Sequence, residues 1–211
     1  MNIINIKKIL DIAECFYNWC IGLNPEEKFK VIALFGAVLA FVVSLLQYRK
    51  AQRWKRAEWV AQEMQAFFND PAVNSALKML DWGSRPIELY PQRKREADRF
   101  VVVRDDDLAK ALAWHEDREE GFTEVEIALR DVFDHFLERV ERINSFVDTR
   151  LVALRDIRPY LAYWAEDVVL ARAGDPKVDR LVQLRRYIRH YRYSGVEKLL
   201  TKLCRRAFPA E

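Results

Sequence analysis

The chain has 211 residues, with 35 Lys+Arg against 32 Asp+Glu and a formal net charge of +3, so its overall balance calls for no polyanionic partner. Its three cysteines, Cys15, Cys20 and Cys204, lack C-x-x-C spacing and nearby histidines, so neither a zinc site nor a disulfide framework is suggested. Its six glycines are too scattered for G-x-G-x-x-G or a Walker loop, so the usual phosphate cradles are excluded too.

From the N-terminus, Lys7, Asp11, Glu14 and Asn18 form a polar stripe on an otherwise apolar stretch. This spacing predicts an amphipathic, membrane-associated helix over residues 1–24, lying in the interface or packed on a neighbouring span. Asn24 and Pro25 end it and open the next helix. Val31 to Leu46 then runs without a charge. With Phe29 and Tyr48 at its ends and Lys30 snorkelling outward, it predicts a transmembrane helix over 29–48, about 20 residues and long enough to cross the hydrocarbon core. A cleavable signal peptide is a poor alternative, because about thirty residues precede the run and it exceeds a usual h-region.

Within the span, Ala33, Gly36, Ala37, Ala40 and Ser44 form a stripe of small residues. Such a stripe lets another helix approach closely, in a second copy of the chain or in its own N-terminal segment. Arg49, Lys50, Arg53, Lys55 and Arg56 follow the span, against Lys28 and Lys30 before it. That excess places the C-terminal part in the cytoplasm, and the band itself suits anionic lipid headgroups. No breaker occurs before Asn69, so residues 49–69 are expected to continue the span as a stalk helix with Ala57, Val60, Ala61, Met64, Phe67 and Phe68 on its packed face.

Residues 70–211 are expected to form a helical domain, giving a mainly α fold with two short strands near 87–103. Asp70 and Pro71 signal a cap and a first-turn proline for a helix ending at Trp82 and Gly83. Ile87 to Tyr90 and Phe100 to Val103 suit the strands. Asp105, Asp106 and Asp107 suit the positive end of a helix over Leu108 to Trp114. Thr123 and Glu126 make a capping box for a long helix with Val125, Leu129, Val132, Phe136, Val140, Ile143 and Val147 inward. Leu151 to Leu154 reads as a short helix, and Pro159 as the opening of the next, with Tyr160, Leu161, Trp164, Val168 and Val169 apolar. Gly174, Asp175 and Pro176 supply a stop, a cap and a first-turn proline, followed by Val178, Leu181, Leu184, Ile188 and Tyr191. Ser194 and Glu197 make a second capping box.

Few residues suggest chemistry. A Gly83-Ser84 turn followed by Asp105 to Asp107 has the parts of a metal-dependent nucleotidyltransferase, but three contiguous acids at a helix start explain themselves without a metal. His115, His135 and His190 are far apart, and His115 with Glu116 and Asp117 resembles any exposed charged loop as much as an acid–base pair. No cofactor is implied. Between Lys177 and Arg206 ten lysines and arginines face only Asp179 and Glu197. On a helix Arg185, Arg189 and Arg192 would share a face with Arg186 alongside, and tyrosines interleave. A nucleotide or RNA ligand fits that pattern, while acidic surfaces of the same domain or the inner leaflet explain it more simply.

The segments QYRKAQRWKRAEWV, NDPAVNSALKMLDW and FDHFLERVERINSFVDTRLVALRDIRPYLAYW resemble those of uncharacterised bacterial membrane proteins with one N-terminal transmembrane helix and a cytoplasmic helical domain. The resemblance spans roughly residues 40 to 170 and implies a bacterial inner-membrane location; it brings no catalytic residues. The expectation is a membrane-anchored, noncatalytic interaction protein that forms a homo-oligomer through its membrane segment, with Trp82, Trp114 and Trp164 in the core or a protein-binding groove. The alternatives are a membrane effector of antiviral type that senses a phosphate ligand, and an enzyme using Asp105 to Asp107.

Overall fold

The computed structural model describes residues 24–171 and 179–204. The amphipathic helix expected over 1–24 lies outside them from residue 23 down, as does the Gly174–Pro176 turn with Val178. The fold is mainly helical with one small sheet, and the chain divides into the units Met1–Lys55 and Arg56–Glu211.

Helix α1, Pro25–Asn69, is continuous over 45 residues, as the absence of Gly-Pro punctuation after Gly36 requires. From Ile32 to Glu58 every residue is exposed. In the second unit Val60, Met64 and Phe67 are buried and Phe68 partly so, whereas Ala57 and Ala61 stay exposed. The packed face is therefore narrower than expected. Trp59 joins it, meeting Phe146 edge-on at 5.0 Å.

Asp70 stops α1 and caps α2, Pro71–Asp81, accepting the Ala72 and Val73 N–H groups at 3.0 and 3.3 Å. Pro71 lacks the first-turn donor that would otherwise need a partner. The helix ends at Trp82, as expected, with that residue in an extended conformation.

Strands β1, Arg85–Glu88, and β2, Phe100–Val103, pair antiparallel with Ile87 opposite Val101. The first strand begins two residues before the expected one and includes Pro86. In a two-stranded sheet each strand is an edge, where a missing N–H is tolerated. Leu89 and Tyr90 both donate to the Arg99 carbonyl, which closes the strand pairing where it was expected to continue. Ile87 and Val103 enter the core.

Helix α3, Asp105–Ala111, takes the three aspartates into its first turn and ends three residues before the expected Trp114. A single 3-10 turn, His115–Asp117, follows. Helix α4, Glu124–Asp148, opens with the expected box: Thr123 Oγ1 accepts from the Glu126 N–H at 3.3 Å, and the Glu126 carboxylate accepts from the Thr123 N–H at 2.8 Å. Its buried stripe is Leu129, Phe133, Phe136, Leu137, Val140 and Ile143, with Val125, Val132 and Val147 on the margin. The sequence stripe is thus rotated, and the rotation also buries Glu126, Arg130 and Asn144.

Helix α5 is one helix, Leu154–Leu170, with Pro159 inside it. Pro159 and Arg155, whose carbonyl loses its partner, both lie on the exposed side of the helix. Leu161, Trp164, Val168 and Val169 are buried as expected, but Tyr160 is exposed. Helices α6, Asp179–His190, and α7, Ser194–Cys204, complete the domain. Ser194 is the first residue of α7 and makes no capping box; instead the Gly195 N–H donates to Glu141 Oε1 from α4 at 2.9 Å. Packing centres on α4 and α7, with α5 also against α7, α2 and α3 against α4, and α6 against α5. Each fully buried Leu or Phe in this core contributes about 1.5–3 kcal/mol.

Candidate functional site

The first candidate surface is the apolar part of α1. It is long and apolar enough to cross a membrane, and the described chain buries none of it. Gly36, Ala40 and Ser44 lie one turn apart, with Ala33 and Ala37 beside them. A Cβ built on Gly36 would meet nothing within 4 Å. Ser44 donates its hydroxyl to the Ala40 carbonyl at 2.8 Å, so no polar group of the stripe is left unsatisfied. Arg49, Lys50, Arg53, Lys55 and Arg56 are all exposed.

The second candidate, the arginine face of α6, is not assembled as the sequence suggests. Arg185 turns inward: its Nη1 donates to the carbonyls of Val168, Val169 and Ala171 at 3.2, 3.3 and 2.6 Å. It thereby satisfies the open C-terminal carbonyls of α5. Arg186 is exposed, and Arg189 stands 4.0 Å from Glu197. Arg192 is a turn residue with φ 58°. Its N–H donates to the Arg189 carbonyl while the Tyr193 N–H donates to Ile188, which is the Schellman arrangement with arginine where glycine is usual. A shared anion-binding face loses its innermost member and has its outermost in a bend.

Arg185 belongs to a pattern. Arg180 donates from Nε to the Leu80 carbonyl at 2.7 Å and from Nη2 to Asp81 at 3.2 Å, closing the end of α2. Arg130, from α4, donates from Nη1 to Ala111 and Ala113 at 2.7 and 2.9 Å, closing the end of α3. Three helix C-termini are thus held by distant guanidinium groups, which also suit the negative end of the helix dipole. A chain with so few glycines ends its helices with arginines.

Around Arg130 lies a cluster that sequence reasoning missed. Its Nη2 donates to Tyr191 Oη at 2.9 Å and to His115 Nδ1 at 3.2 Å; Tyr191 Oη is 2.7 Å from the same nitrogen. Two donors facing Nδ1 make it the acceptor, and in the neutral ring place the proton on Nε2. Phe122, Tyr187 and Tyr191 surround the guanidinium with ring faces at 4.4, 5.1 and 5.2 Å. One turn on, Asp134 accepts from the hydroxyls of Tyr187 and Tyr193 at 2.6 and 2.8 Å. Burial, and then the Asp134 carboxylate, push both tyrosines well above the usual phenol range. The interleaved tyrosines of RRYIRHYRY are used inside the domain. The only advance signal was Arg130 falling next to Leu129 on the apolar stripe.

The remaining candidates also have local partners. Asp107 turns back to accept the Arg104 N–H at 3.0 Å, and Asp105 lies 3.4 Å from Arg180. Among the described residues no three His, Cys, Asp or Glu side chains are grouped to hold a metal. Glu116 faces His190 at 3.4 Å rather than His115. His135 meets Asp70 at 2.8 Å. Trp164 is buried, Trp82 is exposed under Arg85, and Trp114 stacks on His190 at 4.7 Å. The three tryptophans therefore form no common groove. A cleft of about 340 Å³ does exist between α2 and β1, lined by Phe68, Asn74, Ser75, Lys78, Pro86 and Phe100 among others.

No family model, characterised protein or solved structure matches the chain.

Proposed function

We propose that the chain is a membrane-anchored, noncatalytic helical interaction protein that forms homo-oligomers through its membrane segment. The observation that carries this reading is the exposure of the whole apolar stretch of α1, from Ile32 to Tyr48. An uncovered apolar surface of that size needs lipid or another helix. The small residues Gly36 and Ala40 favour a helix on one side and lipid on the others. The excess of cations after the stretch supports placing the C-terminal domain in the cytoplasm. The noncatalytic part is supported by the commitment of Arg130, Arg180, Arg185, Asp105 and Asp107 to helix ends and ion pairs.

The test is the behaviour of the full chain in membranes and detergent. It is expected to resist alkaline extraction and to sediment in mild detergent as an oligomer that Gly36→Leu with Ala40→Leu dissociates. Release by alkali overturns the anchor, and a monomer overturns the oligomer.

A further inference from the structure

We propose that Arg49, Lys50, Arg53, Lys55 and Arg56, together with Trp54, form a binding site for anionic phospholipid headgroups, selecting them over zwitterionic ones. This rests on the membrane reading above and adds the lipid class and the residues that choose it.

The domain's other prominent arginines show what an engaged cation looks like in this chain. Arg130, Arg180 and Arg185 each donate to two or more carbonyls. The five cations after the span do none of this. All five are exposed, and none has a hydrogen bond or an ion pair among the described residues. Nor can an acid on the same stretch neutralise them, since none occurs between Glu27 and Glu58. The local charge of this stretch is therefore far from the near balance of the whole chain.

Position along the helix completes the argument. At 1.5 Å per residue the stretch from Phe29 to Tyr48 covers about 30 Å, the thickness of a hydrocarbon core. The cations follow at once, and Arg49 to Arg56 rise through about 10 Å, enough to span the adjoining headgroup layer. Arg49, Arg53 and Arg56 stand at successive turns of one side, Lys50 is beside them, and Lys55 points elsewhere. Headgroups on several sides of the helix thus meet a cation. Three of the five are arginines, whose planar fork donates to two phosphate oxygens at once. Trp54 is 71% exposed within this band, and an indole in that setting prefers the membrane interface, with its ring among glycerol groups and its N–H toward water. The ligand class is a lipid phosphate with no compensating ammonium, because a choline or ethanolamine group would bring a positive charge against the band.

The experiment reconstitutes the full chain into phosphatidylcholine vesicles containing increasing phosphatidylglycerol. The fraction of motionally restricted spin-labelled lipid is measured for each headgroup. Wild type is expected to prefer phosphatidylglycerol several-fold, with the preference shrinking as salt rises, since a surface cation is worth about fivefold in attraction to an anionic leaflet. Replacing all five by glutamine, Arg49→Gln through Arg56→Gln, is expected to remove the preference while flotation with phosphatidylcholine vesicles and helix content persist. Replacing the exposed domain cations Lys94→Gln and Arg95→Gln is expected to leave it intact. Equal association of the two lipids with wild type, or an unchanged preference in the fivefold variant, overturns the inference and leaves the anchor standing. Failure of wild type to float with pure phosphatidylcholine vesicles overturns the anchor itself.

Discussion

Arg180 donates its Nε–H to the carbonyl of Leu80 at 2.7 Å, joining two residues a hundred positions apart. Arg180 is on α6 and Leu80 at the end of α2, and Asp81 and Asp105 share the same guanidinium. A helix end that no local residue closes is closed by a side chain arriving from the far end of the chain. Arg185 at the end of α5 and Arg130 at the end of α3 do the same from 14 to 19 positions away.

Arg185→Met keeps most of the buried stem and removes the donors to Val168, Val169 and Ala171. Buried carbonyls left open cost about 1–3 kcal/mol each, partly recovered by relaxation. The domain is expected to lose about 3 kcal/mol, read as a lower urea midpoint at unchanged slope. A loss under about 0.5 kcal/mol, the size of an ordinary surface substitution, would show that Arg185 is not a cap.

Arg192→Gly acts in the opposite direction. A non-glycine residue in the left-handed region carries about 1–2 kcal/mol of strain, and glycine returns about half of the gain as unfolded-state entropy. The variant is expected to melt a few degrees higher, and Arg192→Val lower, because a branched Cβ suits this conformation worst. Arg150, with φ 60°, provides a second position for the same comparison.

Acid should weaken the domain through two carboxylates held below their ordinary values. Burial raises Asp70, but hydrogen bonds from His135 and from the Val73 and Ala72 N–H groups outweigh it and bring it below 3.8. Burial likewise raises Glu126, and Thr123 with Arg118 outweighs it and brings it below 4.5. Because the folded values are depressed, the contribution is complete above the unfolded values and fades as pH falls through the folded ones. Stability is expected to drop below about pH 4, and Asp70→Asn to flatten that limb while lowering the neutral plateau. Chemical denaturation at stepped pH measures both.

Tyr187 and Tyr193 govern the alkaline side. Their folded values lie above the ordinary 10.0, so the stability they add is complete below it and lost as pH rises beyond it. In an ultraviolet titration of phenolate, two of the eight tyrosines are expected to ionise only with unfolding. Asp134→Asn should bring them partway back toward the others.

Local signals were legible. Asp70 before Pro71, Thr123 three before Glu126, and an uncharged run with cations after it each act within one turn or along one helix, and each has its expected structure. What depends on tertiary neighbours was not. Pro159 reads as a helix start, yet sits inside α5 on its exposed side, with Arg155 one turn before it exposed as well. Ser194 and Glu197 satisfy the capping-box pattern, but Glu141 reaches the Gly195 N–H from another helix. Arg185 looks like a surface cation in a basic run, and only the position of the α5 terminus draws it inward. Trp82, Trp114 and Trp164 are alike in sequence and differ in burial for the same reason. The candidate membrane surface was readable because it needs no partner from elsewhere in the chain; the Arg130 cluster was not, since it draws on α4, α6 and the His115 turn together.

Closing helices from a distance also has a consequence in time. As the chain leaves the ribosome, α2 is complete after residue 81, yet the group that closes it emerges only with Arg180, and α5 waits in the same way for Arg185. Until then the carbonyls of Leu80 and Asp81, and of Val168, Val169 and Ala171, face water, and each last turn rests on its own backbone bonds alone. Pieces of the domain ending before α6, about three quarters of the way through residues 70–211, should therefore be less stable and more readily degraded than the whole domain.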